Sequence, residues 1–136
     1  MTDYRHEVAV VVNEPSDVVE RRLGDVESWV GFLTDVDKIT KVAHERYDFE
    51  VNSYGHHRVV RVCVRRHPRE HSWVWKTLKG AAYNGTVALR PLDGRRSQVT
   101  VCVQCWPDGF MPAVNDMLSG SHTGVDRGRL QDALSA

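Results

Sequence analysis

Between Ile39 and Trp106 the chain contains no segment with helical periodicity. Stretches rich in valine, threonine and aromatic residues follow one another there, separated only by turn formers. The separators are Asn52-Ser53-Tyr54-Gly55, His67-Pro68-Arg69, Lys79-Gly80 and Asp93-Gly94. They delimit expected strands at His56 to Arg66, His71 to Thr77, Tyr83 to Leu92 and Gln98 to Trp106. Ile39 to Val51 reads either as one long bent strand or as two short ones with a tight turn near Glu45 to Asp48. Strands joined by connections this short pair antiparallel, as a meander. Such a sheet must bury one face, and the flanking segments decide against what.

Tyr4 to Val12 reads as one further strand, with Tyr4, His6, Val8, Val10 and Val12 on one face. After Asn13-Glu14-Pro15, Ser16 is expected to cap a short helix that runs to about Leu23, with Val19 and Leu23 on its apolar face. Gly24-Asp25 then separates it from a second short helix carrying Val26, Trp29, Phe32 and Leu33. Beyond Pro107-Asp108-Gly109 the period becomes helical, and Phe110, Val114, Met117, Leu118, Val125, Leu130, Ala133 and Leu134 would line one side of a helix reaching the C-terminus. Gly120, Gly124 and Gly128 weaken its middle, by about 1 kcal/mol each relative to alanine. The expected fold class is therefore α+β. A curved antiparallel sheet of six or seven strands wraps around one long C-terminal helix, with two short helices after the first strand. At 136 residues this is a single domain, 1–136.

Charge narrows the function classes. Eighteen basic residues balance eighteen acidic ones, which removes the positive field that phosphate backbones require, so no nucleic-acid partner is expected. Arg61, Arg65, Arg66 and Arg69 form a local basic run, read as a solvated edge. The N-terminal valine run is too short for a signal peptide or a membrane span, so the expected compartment is the cytoplasm, without membrane insertion. Three cysteines fit a reducing environment and no disulfide framework. Cys102-Val103-Gln104-Cys105 has redox spacing, but on a strand the two thiols face opposite ways. Seven histidines show no chelating spacing, so neither metal nor cofactor is expected.

Strand alternation selects the side chains facing the interior. Val99, Val101, Val103 and Cys105 point inward from the last strand, and Tyr83, Gly85, Val87 and Leu89 from the one before. Trp73 and Trp75 share a face, placed inward because two solvent-side indoles would form an apolar patch. Val60, Val62 and Val64 choose the face of their strand and bring Arg58 inward near the mouth; the other register would put His57 and Arg61 inside.

Three passages resemble the START-like (SRPBCC) superfamily, in particular its small bacterial polyketide cyclase/dehydrase-like members. The first is Val10-Val11-Val12-Asn13-Glu14-Pro15-Ser16-Asp17-Val18-Val19 followed by Gly24-Asp25-Val26-Glu27-Ser28-Trp29. The second is Gly85-Thr86-Val87-Ala88-Leu89-Arg90-Pro91-Leu92 with Ser97-Gln98-Val99-Thr100-Val101, where Ser97-Gln98 stands for the commoner Thr-Arg. The third is Val125-Asp126-Arg127-Gly128-Arg129-Leu130. The resemblance implies a helix-grip fold and a cavity between the concave sheet and the last helix. Its implied occupant is a small hydrophobic ligand, lipid-like or aromatic and polyketide-like. The lining expected for that site is His6, Phe32, Arg58, Val60, Val62, Trp73, Trp75, Tyr83, Val87, Val101, Val114, Met117 and Leu118. The protein would act as monomer or homodimer. Two alternatives remain beside a carrier or sensor. In a cyclase or dehydratase, Arg58 would polarise a carbonyl, and Tyr83 or His6 would move a proton. An interaction module, toxin-like in some relatives, would present Trp106 and the segment Pro107 to Met111.

Overall fold

A computed structural model describes residues 4–53, 56–79, 83–105 and 125–135. Seven strands make one antiparallel sheet: β1 (Tyr4–Val12), β2 (Val36–Ala43), β3 (Arg46–Ser53), β4 (His56–His67), β5 (Ser72–Lys79), β6 (Tyr83–Asp93) and β7 (Arg96–Cys105). Their order across the sheet is β1-β7-β6-β5-β4-β3-β2, so the first two strands of the chain form its opposite edges. Helix α1 (Ser16–Leu23) and a 3-10 helix (Val26–Gly31) make the crossing between those edges. Helix α2 (Arg127–Leu134) packs on β1, α1 and the 3-10 helix.

Curvature follows from two ring positions. Phe49 stands on β3 and Tyr83 on β6, three strands away, which on a flat sheet is about 14 Å. Their ring centroids lie 6.2 Å apart. The sheet is therefore curled into a half-barrel whose concave side gathers the large side chains. Alternation puts Val8, Val10 and Val12, Val99, Val101 and Val103, and Val60, Val62 and Val64 in the core on that side.

The expected strands are found, most within a residue or two of their limits, and Ile39 to Val51 resolves as two of them. β2 and β3 are joined through His44 and Glu45, with Glu45 in the left-handed region at φ 58°. The Glu45 carbonyl accepts the amide of Val64 at 2.9 Å, so a bond to β4 supports that unfavourable backbone.

Two helix boundaries differ from expectation. Pro15, and not Ser16, occupies the cap position of α1; its carbonyl accepts the amides of Val18 and Val19, and Ser16 is the first helical residue. The C-terminal helix does not run unbroken through Val125. Val125 is extended and bridges Leu33, and the next residue, Asp126, caps α2 by accepting the Arg129 amide at 2.9 Å. Leu130 and Leu134 are buried as expected, whereas Ala133 is exposed. Phe110, Val114, Met117 and Leu118, with Trp106, the segment Pro107 to Met111, and two of the three glycines (Gly120 and Gly124), lie outside the described residues.

Polar ties hold the helical layer to the sheet. The Arg22 guanidinium donates to Glu14 Oε2 at 3.0 Å and to the Leu134 carbonyl, joining α1 to α2. The Trp29 indole donates to the Leu23 carbonyl at 2.9 Å, fixing the 3-10 helix against the last turn of α1. Ser97, the one buried polar residue among those described, donates to the Glu14 carbonyl at 2.9 Å.

Candidate functional site

The concave face is dominated by one aromatic group. Trp75 lies with its ring centroid 5.5 Å from Trp29, 6.3 Å from Phe49 and 6.2 Å from Tyr83. Phe32 extends the group from the far side of Trp29, at 6.4 Å. The tilted and edge-on arrangements are those aromatic quadrupoles favour, and each adds about 0.5–1.5 kcal/mol beyond burial. Trp75 takes its place because of Gly85, its partner on β6: a Cβ on that glycine would sit 2.2 Å from Trp75 Cζ2 and 2.5 Å from the Cys102 carbonyl oxygen. The glycine leaves the space that the indole edge fills.

Beyond Gly85 the ladder between β5 and β6 gives way to side chains. The Thr77 amide donates to Asn84 Oδ1 at 2.8 Å, and the Tyr83 amide to Thr77 Oγ1 at 2.7 Å. One polar atom in the aromatic group stands out. Trp75 Nε1 is buried without a hydrogen-bond partner, whereas the neighbouring Trp29 indole has its carbonyl. Leaving such a donor unmatched costs about 1–3 kcal/mol.

Of the residues expected to line the site, Phe32, Val60, Val62, Trp73, Trp75, Tyr83, Val87 and Val101 are buried against this face. Trp75, Tyr83, Val60, Val62, Val87 and Val101 have no exposed surface at all, so side chains fill this part of the concave face and a guest must displace some of them. Val114, Met117 and Leu118 lie outside the described residues.

His6 is half-buried near the β1 edge. It shares a ladder row with Val103, Gly85 and Trp75, three strand spacings or about 14 Å along the sheet. Arg58 has the parity of Val60 and Val62, but it is exposed and forms no ion pair or hydrogen bond with the described residues. Parity chose the face; depth along the strand leaves the guanidinium in water. The alternative register is excluded, because His57 and Arg61 are exposed on the other face. They pair there with Glu50 at 3.3 Å and, in bidentate fashion, with Asp48 at 2.8 and 3.2 Å. The hydrogen bond from Arg61 holds the Asp48 carboxyl below the usual range.

Two members of the aromatic group, Trp29 and Phe49, were not anticipated as lining. Phe49 could have been found from its alternation with Tyr47 and Val51, had the break before β3 been evident. Trp73 stands apart from the group, under the Arg66 guanidinium at 5.6 Å. Arg66 and His71 share the Glu20 carboxylate, at 2.5 and 2.8 Å, which ties α1 to the end of β4 and the start of β5. Part of the basic run expected at a solvated edge is thus paired.

Burial lowers the His6 pKa below 6.5, opposed by the hydrogen bond its ring makes to the Val125 backbone. The folded protein therefore disfavours protonated His6. Its contribution to stability is complete above pH 6.5 and is lost as the pH falls below 6.5 and through the lowered folded value. The His6→Gln variant should lose that part of the pH dependence, so its melting temperature should fall less than the parent's between pH 7 and about pH 5. A melting series by circular dichroism measures this. Among the described residues no three His, Cys, Asp or Glu side chains gather to hold a metal, and no helix is long and apolar enough to cross a membrane.

Solved structures with this architecture are numerous. The Zhui aromatase/cyclase from Streptomyces sp. R1128 aligns at a TM-score of 0.68 with 18% identity, over 97% of this chain and 90% of that one. A START superfamily protein from Mycobacterium smegmatis aligns at 0.68 with 14% identity, over 96% and 93%. The di-domain ARO/CYC BexL from the BE-7585A biosynthetic pathway aligns at 0.63 with 17% identity, over 98% of this chain and 46% of the larger protein. No family model matches the chain. No curated protein matches its sequence. The chain has the START-type helix-grip fold, the same fold as these START and aromatase/cyclase proteins.

Proposed function

We propose that the chain, as a single domain over 1–136, binds a small hydrophobic molecule on the concave face of its sheet. That molecule is aromatic or lipid-like and carries an acceptor oxygen. The observation that carries this reading is the buried, unmatched Nε1–H of Trp75 within the aromatic group. A guest carbonyl or ether oxygen beside it would remove a cost the protein otherwise bears, while the rings of Trp29, Phe49 and Tyr83 supply flat apolar walls. The named START and aromatase/cyclase neighbours share the fold, which supports such a cavity without fixing its contents.

A cyclase or dehydratase reading needs at least two ionisable groups converging on one guest. Arg58, the group that would polarise a carbonyl, is exposed, and His6 stands on the edge strand β1, three strands from Trp75. The described residues therefore favour a carrier or sensor. The site residues proposed for it are Phe32, Val60, Val62, Trp75, Tyr83, Val87 and Val101, together with Trp29 and Phe49.

Native mass spectrometry of the purified protein, with organic extraction of what it carries, tests the proposal. A stoichiometric apolar adduct bearing oxygen is expected, with affinity reduced about tenfold in Trp75→Phe, which keeps a ring but removes the donor. A bare mass, together with no binding across a panel of fatty acyl esters and polyphenols, would sink it.

A further inference from the structure

The outer face of β4 and β5, on the opposite side of the sheet, carries a separate groove of about 350 Å³ lined by Cys63, Arg65, His67, Val74, Lys76 and Leu78. We propose that this groove is a second binding site, for a small anionic amphiphile with a carboxylate or sulfate head and a short apolar tail.

The cross-strand register builds it. Cys63 stands opposite Lys76, and Arg65 opposite Val74, so the two cations lie on the diagonal with a thiol and a valine between them. Diagonal neighbours on one face of an antiparallel pair lie about 7–8 Å apart, close enough for two long cationic side chains to converge on a single head group. Neither Arg65 nor Lys76 is paired with an acid among the described residues. The nearby carboxylates are engaged elsewhere: Asp48 by Arg61, Glu20 by Arg66 and His71, and Glu70 beside His67 at 3.8 Å.

The tail follows from Leu78. The β4–β5 register shifts between Arg61 and Val62, and Leu78 falls in that irregularity. Alternation puts it on the outer face with Val74 and Lys76, and it is left 48% exposed there. A positive head site beside the exposed Leu78 and half-buried Val74 matches a molecule negative at one end and apolar at the other. The groove's volume falls in the range of small-molecule sites.

Cys63 lines the groove and is half-buried, so its alkylation reports occupancy there. Decanoate or decyl sulfate should slow carbamidomethylation of Cys63 by iodoacetamide about tenfold, read peptide by peptide so that Cys102 is scored separately. The paired substitution Arg65→Gln with Lys76→Gln should abolish that protection, and Leu78→Ser should weaken it. All three positions lie at the surface, so circular dichroism should match the parent. Decanol and decyltrimethylammonium should leave the rate unchanged. Absence of protection would overturn the proposal, as would equal protection by the neutral or cationic probe, or protection that persists without the two cations. Shielding by an acidic peptide and by neither decyl anion would assign the groove to a macromolecule instead. A guest on the concave face reports through the Trp75 indole and leaves Cys63 untouched, so the two sites stand or fall separately.

Discussion

Gly85→Ala should lower the melting temperature by about 10 °C, the effect of losing about 3 kcal/mol in a domain of this size. The usual sign is the reverse, since alanine in place of glycine at a compatible backbone gains about 0.4–1 kcal/mol by restricting the unfolded chain. Here the added carbon would lie 2.2 Å from Trp75 Cζ2, 2.4 Å from Cη2 and 2.5 Å from the Cys102 carbonyl oxygen. Neither neighbour yields cheaply: the indole is wedged among Trp29, Phe49 and Tyr83, and the carbonyl belongs to β7. Phenylalanine at position 75 lacks the two ring atoms that clash. The double variant Gly85→Ala with Trp75→Phe should therefore be more stable than the sum of the single effects predicts, by about 1 kcal/mol or more. The carbonyl contact remains, so rescue is partial. Urea midpoints of the four proteins measure the coupling, and strict additivity would mean that the glycine does not serve the indole.

Trp29→Ala should cost about 3–5 kcal/mol, a large share of the stability of a domain this size. Trp29 has no exposed surface and lies between Phe32 and Trp75, and its indole satisfies the Leu23 carbonyl at the end of α1. Its removal opens a hole between the helical layer and the sheet and orphans that carbonyl. Trp29→Phe keeps most of the volume and should cost only about 1–2 kcal/mol, chiefly the lost hydrogen bond. Equal costs for the two variants in urea titrations would show that packing matters little at this position.

The meander was legible because its signals are local. Asp93-Gly94 and His67-Pro68 announce turns by themselves, and valine alternation sets the face of each strand without knowledge of its neighbours. The β2–β3 connection was not legible, since His44 and Glu45 are not turn formers. Glu45 is held at positive φ by a bond to Val64, nineteen positions further along the chain and outside what a local reading sees. The start of α2 failed differently: Val125 continued an apolar period, and the period outweighed the cap that Asp126 offers.

For the site, alternation chose the correct face for Val60, Trp75, Tyr83 and Val87. It could not say that Arg58, on that same face, lies beyond the buried part of its strand. Nor could it show that curvature brings Phe49 to Tyr83 across three strands, because the curl of a sheet is a property of all its strands together. The unmatched Trp75 donor likewise appears only once its neighbours are in place.

The most direct measurement is a ¹H–¹⁵N correlation spectrum of the tryptophan side chains during titration with an apolar, oxygen-bearing guest such as a polyphenol or a fatty acyl ester. Binding on the concave face predicts a downfield move of the Trp75 indole signal as it gains an acceptor, with the Trp29 signal, already bonded to Leu23, nearly fixed. A Trp75 signal unmoved at saturating guest would contradict the account and leave the aromatic group as core packing alone.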